Sequence, residues 1–194
     1  MKKIIVFLFA IFPVVLTAQS NKQKEKIHYA SSYQLGIIAG KAYTTFSAQT
    51  IQGIQYKNFQ TGVGIALDPY GFRTVPLFGH FSYVMHLQNN SVFAYADAGI
   101  SIPWNNGSLP EKYDNSTHDD WHKLYAGFYA EGGVGYSLLF NKKQNAVTIN
   151  AGYSYKRFKY DENVYIWNGF ETVQQTDHYI FDYRRLAFRV GFSL

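Results

Sequence analysis

Residues 181–194 read Phe-Asp-Tyr-Arg-Arg-Leu-Ala-Phe-Arg-Val-Gly-Phe-Ser-Leu, and this ending decides the fold. Leu186, Phe188, Val190, Phe192 and Leu194 share one parity, while Arg185, Ala187, Arg189, Gly191 and Ser193 share the other. A strand sends successive side chains to opposite faces. This strand is therefore apolar on one face, small or charged on the other, and it ends the chain on an apolar residue. In a transmembrane barrel the apolar stripe meets lipid and the polar stripe lines the interior.

Working outward, seven further alternating segments precede it, at 33–40, 45–56, 59–67, 73–87, 92–104, 123–140 and 146–159, and the last spans 179–194. The connections 57–58, 88–91 and 141–145 are short and polar, as hairpin turns are. The alternate ones, 41–44, 68–72, 105–122 and 160–178, are mostly longer and rich in Asp, Asn, Tyr and Trp. Outer-membrane barrels place short turns and both termini in the periplasm and longer loops outside. The pattern predicts an all-β, eight-stranded, up-and-down antiparallel transmembrane β-barrel over residues 31–194, expected to be a monomer.

Charge placement orients the faces. Val63, Ile65 and Leu67, then Leu77, Phe81 and Met85, then Ala94, Ala96, Ala98, Ile100 and Ile102, then Val134, Leu138 and Phe140 belong to the face expected to point outward. That face carries only Arg157, Asp182 and Arg184 as formal charges, all where the last two strands meet the outside loops. An arginine costs about 2–4 kcal/mol at the bilayer midplane and about 0–1 near its surface. Thr50 and Gln52 would also face lipid, which predicts a bulge or register slip in the second strand. Trp104, Trp121, Trp167, Tyr113 and Tyr165 are expected at the outer loop bases as an aromatic girdle.

The N-terminus reads as a secretory leader: Lys2 and Lys3, an apolar run from Ile4 to Leu16 broken by Pro13, and cleavage after Ala18. Leu16 at the −3 position is bulky, so the cut can move by a few residues. Residues 19–30 are expected to be a periplasmic lead-in, whose Lys22, Lys24 and Lys26 form either a solvated tail or a contact with phospholipid head groups. The formal net charge of +5 is too small an imbalance, and too much of it terminal, to argue for nucleic acid. With no Cys there is no lipobox, disulfide framework, thiol catalysis or Cys-ligated metal. Aromatic residues make up 19% of the chain and 16 glycines lie largely within the patterned segments, a mixture that disfavours helices and suits barrel walls.

The runs Gly62-Val-Gly-Ile-Ala-Leu-Asp68, Arg73-Thr-Val-Pro-Leu-Phe78 and Phe93-Ala-Tyr-Ala-Asp-Ala-Gly99, followed by Pro103-Trp104, resemble small outer-membrane β-barrel proteins common in Bacteroidota. The resemblance covers most of the mature chain and implies the barrel fold. It implies no catalytic residue, because members of that group mostly lack an assigned activity. Phe192 and Leu194 look like a signal for the barrel-assembly machinery, with Leu in place of the commoner aromatic last residue.

Three constellations could carry chemistry. Asp97, Glu131, Lys156, Arg185 and Arg189 all fall on the inward face, with Glu131 and Lys156 expected to be nearly opposite on neighbouring strands. They form a salt-bridged filling of the lumen or, alternatively, a gated ion path. His80-Phe81-Ser82 resembles the His and Ser of outer-membrane lipid A deacylases, which act as base and nucleophile. That family follows the Ser with Asn, whereas Tyr83 stands here, and alternation turns His80 and Ser82 into the lumen, away from lipid. His118, Asp119, Asp120 and His122 lie in the longest loop. They read as a solvated loop tip, or as a weak divalent-cation site touching lipopolysaccharide phosphates; Asp119 replaces the Glu of a zincin motif and no third ligand follows. Gly62-x-Gly64 and Gly132-Gly133-x-Gly135 open no helix and are not phosphate loops; they make room in a crowded lumen.

The expected role is non-enzymatic, with no cofactor: a structural, adhesive or ligand-contacting surface barrel. Its partners would be outer-membrane lipids and lipopolysaccharide. The alternatives are a lipid-modifying barrel enzyme, a narrow pore, and a soluble lipocalin-like barrel with Leu186, Phe188 and Val190 buried and Arg185 and Arg189 exposed.

Overall fold

The computed structural model describes residues 27–87, 90–104, 122–140, 145–167 and 169–194. Among them the strands are β1 (His28–Gly40), β2 (Thr44–Tyr56), β3 (Phe59–Leu67), β4 (Thr74–His86), β5 (Asn90–Pro103), β6 (His122–Leu124), β7 (Gly127–Leu139), β8 (Ala146–Trp167) and β9 (Thr172–Ser193). Both β6 and β7 pair with β8, and Tyr125 N still donates to Lys159 O between them, so the two form one interrupted stave. Each strand pairs antiparallel with its neighbours, and β1 returns to β9 from Ser32↔Ser193 to Gly40↔Arg185. The sheet is a closed eight-stave, up-and-down barrel with no free edge around its wall.

The apolar stripes face out. Leu186, Phe188 and Val190 are 50%, 47% and 55% exposed, whereas Arg185 and Arg189 between them are 1% and 2% exposed. Val63, Ile65, Leu77, Phe81, Met85, Ile100, Val134 and Leu138 are exposed in the same way. A barrel in water would invert this arrangement, so the lipocalin-like alternative does not fit. At the end carrying the short turns and the C-terminus, Tyr29, Tyr33, Tyr56, Tyr83 and Tyr136 form an exposed ring below the belt. At the other end the outward faces of β8 and β9 turn polar, where Arg157 Nε donates to Asp182 Oδ1 at 2.9 Å and the Tyr155 hydroxyl to the same oxygen at 2.7 Å. Val134 lies between these limits, opposite Ala94 and Ala151. Val134→Arg is expected to destabilise the barrel by about 2–4 kcal/mol in lipid, read as a lower urea midpoint of the folded gel band, with Phe140→Arg at the turn end far milder.

Four features depart from the expectations above. β1 begins at His28, paired with Gln55, inside the segment expected to be a lead-in. β2 keeps an unbroken register with both neighbours through Thr50 and Gln52. These two outward polar side chains satisfy each other instead of forcing a bulge: Gln52 Nε2 donates to Thr50 Oγ1 at 2.9 Å, and the Tyr29 hydroxyl donates to Gln52 Oε1. Residues 160–178 are not a loop, because β8 and β9 stay paired to Trp167↔Thr172 and project beyond the other strands. Trp167 therefore sits at the end of this hairpin, not at the rim, while Trp104 is exposed at the end of β5. Tyr113, Trp121 and the Tyr165 side chain lie outside the described residues.

Candidate functional site

The middle and the loop end of the interior are crossed by side chains from several staves. Glycines make the crossing possible: a Cβ at Gly152 would collide with the Tyr95 hydroxyl, and one at Gly64 with the Phe78 ring. Tyr95 uses that space to reach Glu131, donating to Oε1 at 2.9 Å, while Tyr129 donates to Oε2 at 3.0 Å. Arg189, from β9, closes a two-pronged pair on the same carboxylate, with Nη2 2.8 Å from Oε2 and Nη1 bonded to Oε1. All four side chains are buried. Such charge-assisted, bidentate pairs are the strong class of hydrogen bond.

A second centre closes the loop end. Asp68 Oδ2 accepts from Arg185 Nη1 and lies 3.2 Å from Lys156 Nζ, and its Oδ1 takes the Tyr70 backbone N–H at 3.0 Å. Lys156 also donates to the Tyr70 carbonyl at 2.8 Å, the Phe72 carbonyl at 3.3 Å and Thr74 Oγ1 at 3.1 Å. Arg185 Nη2 reaches Ser154 Oγ at 2.8 Å. The β3–β4 connection is thereby drawn into the mouth. Tyr70 packs with Ile38, Ala187 and Tyr183, and Phe72 with Phe158, Tyr160 and Phe181. Gly71, at φ 69°, supplies the left-handed turn and leaves no room for a Cβ against the Tyr183 ring.

The third centre is His80 Nδ1 against Asp97 Oδ1 at 2.6 Å, both buried. Ser82 is buried on the same strand, facing in as His80 does. The imidazole therefore has a carboxylate partner, but neither His80 nor Ser82 is presented to the lipid face. Glu131 stands opposite Ser154, not Lys156, and Lys156 stands opposite Tyr129. Glu131 takes Arg189 as its ionic partner, and Lys156 takes Asp68. Asp68 was not singled out from the sequence, although it falls in phase with the inward positions Gly62, Gly64 and Ala66. Among the described lumen residues Asp68, Asp97 and Glu131 equal Lys156, Arg185 and Arg189 in number.

Outside the belt, Asp161 on β8 bonds His178 Nδ1 at 2.6 Å and accepts from the Tyr125 hydroxyl at 3.0 Å. The His178 bond, with help from that of Tyr125, holds the Asp161 carboxyl below the usual carboxylate range against the opposing effect of burial. Its support of the hairpin is complete above the ordinary carboxylate pKa and fades as pH falls through the lowered value. His178→Ala should raise the Asp161 midpoint in a carbon-13 NMR titration; an unchanged midpoint removes the bond. His118, Asp119 and Asp120, and the His122 side chain, lie outside the described residues, and no cluster of three metal-binding side chains occurs among those described.

No family model matches the chain, and no curated protein matches it. Among solved structures it is similar to the crystal structure of Neisserial surface protein A, at 13% identity and a TM-score of 0.51, covering 88% of this chain and 99% of that one. A solid-state NMR structure of the outer membrane protein AlkL in lipid bilayers matches at 10% identity and a TM-score of 0.45, over 91% and 94% of the two chains. Both are small eight-stranded outer-membrane barrels, and the likeness to the first extends to the fold.

Proposed function

We propose that this is an outer-membrane β-barrel protein of the cell surface with a non-enzymatic, structural or adhesive role and no conducting lumen. The observation that carries the proposal is the pairing of an apolar outer belt with an interior crossed by Glu131–Arg189 and Asp68–Lys156–Arg185, all buried. A wall of exposed Leu, Ile, Val and Phe needs hydrocarbon, and a lumen bridged from side to side leaves no continuous water path. In this proposal residues 1–18 are the secretion signal, and the termini and short turns lie in the periplasm. The β8–β9 hairpin then stands above lipopolysaccharide as the main contact element, its outer end carrying exposed Trp167 and Phe170. Membrane lipid and the barrel-assembly machinery, engaged through β9, are its proposed partners. The sequence likeness to barrels of Bacteroidota supports the same compartment.

Fractionation with gel mobility of unboiled and boiled samples tests compartment and barrel together. The protein should follow the outer membrane and migrate faster unboiled. Planar bilayers should record no discrete conductance steps. Steps that change with Glu131→Gln would replace this proposal with a pore, and release into the aqueous periplasmic fraction would end it.

A further inference from the structure

The half of the lumen nearest the short turns is not filled. A cavity of ≈ 510 Å³ lies there, lined by residues from the turn-end portions of all eight staves. It opens where Gln55, His86 and Phe140 reach partly or fully exposed positions. Its polar wall carries the hydroxyls of Ser32, Ser91, Ser137, Thr148 and Ser193, the amides of Gln34, Gln55 and Gln60, and the imidazoles of His80 and His86. Among the described residues no Lys, Arg, Asp or Glu lines it. Phe93, Ile51 and Val84 add apolar surface.

The inner wall has a specific unmet demand. Gln34 Oε1 accepts from Gln49 Nε2 and from Asn150 Nδ2, each at 2.9 Å, while Gln34 Nε2 donates to Ser32 Oγ at 3.0 Å. This network fixes the orientation of all three amides and turns the carbonyl oxygens of Gln49 and Asn150 away from it. Gln49 Oε1 and Asn150 Oδ1 are buried without a partner, and so is Thr148 Oγ1, whose side chain lines the cavity and is 97% buried. Of these three residues only Thr148 lines the cavity; a buried hydroxyl without a partner is costly, so the site favours an occupant that brings hydrogen-bonding hydroxyl or amide groups. An anion finds no Lys or Arg among the described wall residues. A cation finds no carboxylate there, and Arg189 stands opposite Asn150 one row deeper.

We infer that this vestibule binds a neutral polyhydroxylated molecule, a sugar or glycan segment, entering from the turn end. Hydroxyls of the occupant would exchange hydrogen bonds with Thr148 and with the serine and glutamine groups of the wall. Phe93 would cover an apolar ring face. The inference is independent of the surface role proposed above, since it concerns the opposite end of the barrel.

The absence of cysteine from the natural chain allows a direct test. The full chain carrying Ser137→Cys is folded in a sugar-free amine-oxide detergent, and modification by a small methanethiosulfonate reagent is timed. Maltose and N,N′-diacetylchitobiose serve as probes, with glucosamine and glucose 6-phosphate as charged comparators. At a probe concentration ten times the dissociation constant, modification should slow about tenfold, following site occupancy. Thr148→Val should abolish that protection while leaving the heat-dependent gel mobility intact. Ser91→Cys, on the neighbouring stave, reports the same cavity should the first variant fold poorly. No protection by either neutral sugar, equal protection in Thr148→Val, or stronger protection by a charged comparator each overturns the inference.

Discussion

Glu131→Ala should lower the unfolding free energy of the detergent-folded barrel by about 3–5 kcal/mol, the cost of stranding a buried charge. The carboxylate receives four bonds, two from Arg189 and one each from the Tyr95 and Tyr129 hydroxyls. Its removal leaves a guanidinium with only its Ser47 contact, 3.3 Å from Nε, and two buried phenols without acceptors. Asp68 is held by Lys156 and Arg185, and Asp97, which stands opposite Glu131, has His80 on its Oδ1. Removing both ends, as Glu131→Ala with Arg189→Met, should recover most of the loss, since an apolar replacement of a buried pair is often near neutral. The measurement is urea unfolding followed by the folded gel band, arranged as a double-mutant cycle. A single-variant loss below about 1 kcal/mol, the scale of an exposed ion pair, would mean that the lumen is wet and the pair screened.

Much of this molecule is written in parity. Alternation at Leu186, Phe188 and Val190 settles which face meets lipid, and the same parity puts Arg185 and Arg189 inside. Partner identity needs register as well, and register is not local. Ala146 pairs with Leu139, which sets Glu131 opposite Ser154. A shift of two residues in that hairpin leaves every side chain on its expected face yet changes which residue stands opposite Glu131. Asp68 was hidden for a different reason. It follows an inward run, Gly62, Gly64 and Ala66, but Pro, Tyr and Gly come next and mark a connection. The 160–178 region escaped because strands standing in water need no apolar stripe; Lys159, Asp161 and His178 face outward where hydrocarbon has ended. The vestibule was legible only as serine and glutamine at scattered inward positions, since a cavity is a property of several staves at once.

Asp68→Ala should cost at least as much as Glu131→Ala, about 3–5 kcal/mol, because one deletion strands two cations. Arg185 would keep only its bond to Ser154 Oγ, and Lys156 would keep the Tyr70 and Phe72 carbonyls and Thr74 Oγ1. Those carbonyls belong to the connection that Asp68 itself folds, through its Oδ1 bond from Tyr70 N and the paired backbone bonds with Thr74. Losing the carboxylate therefore loosens the acceptors on which Lys156 would have to fall back. The loss should be local at first: amides of Tyr70 and Thr74 should exchange much faster, while those of Gln34 and Thr148 at the opposite end keep their protection. Lys156→Met added to Asp68→Ala should restore part of the stability by removing one stranded charge. If exchange instead accelerates evenly along the barrel, Asp68 holds the whole wall and not a plug seated in its mouth. If Lys156→Met brings no recovery, the cations were never its burden.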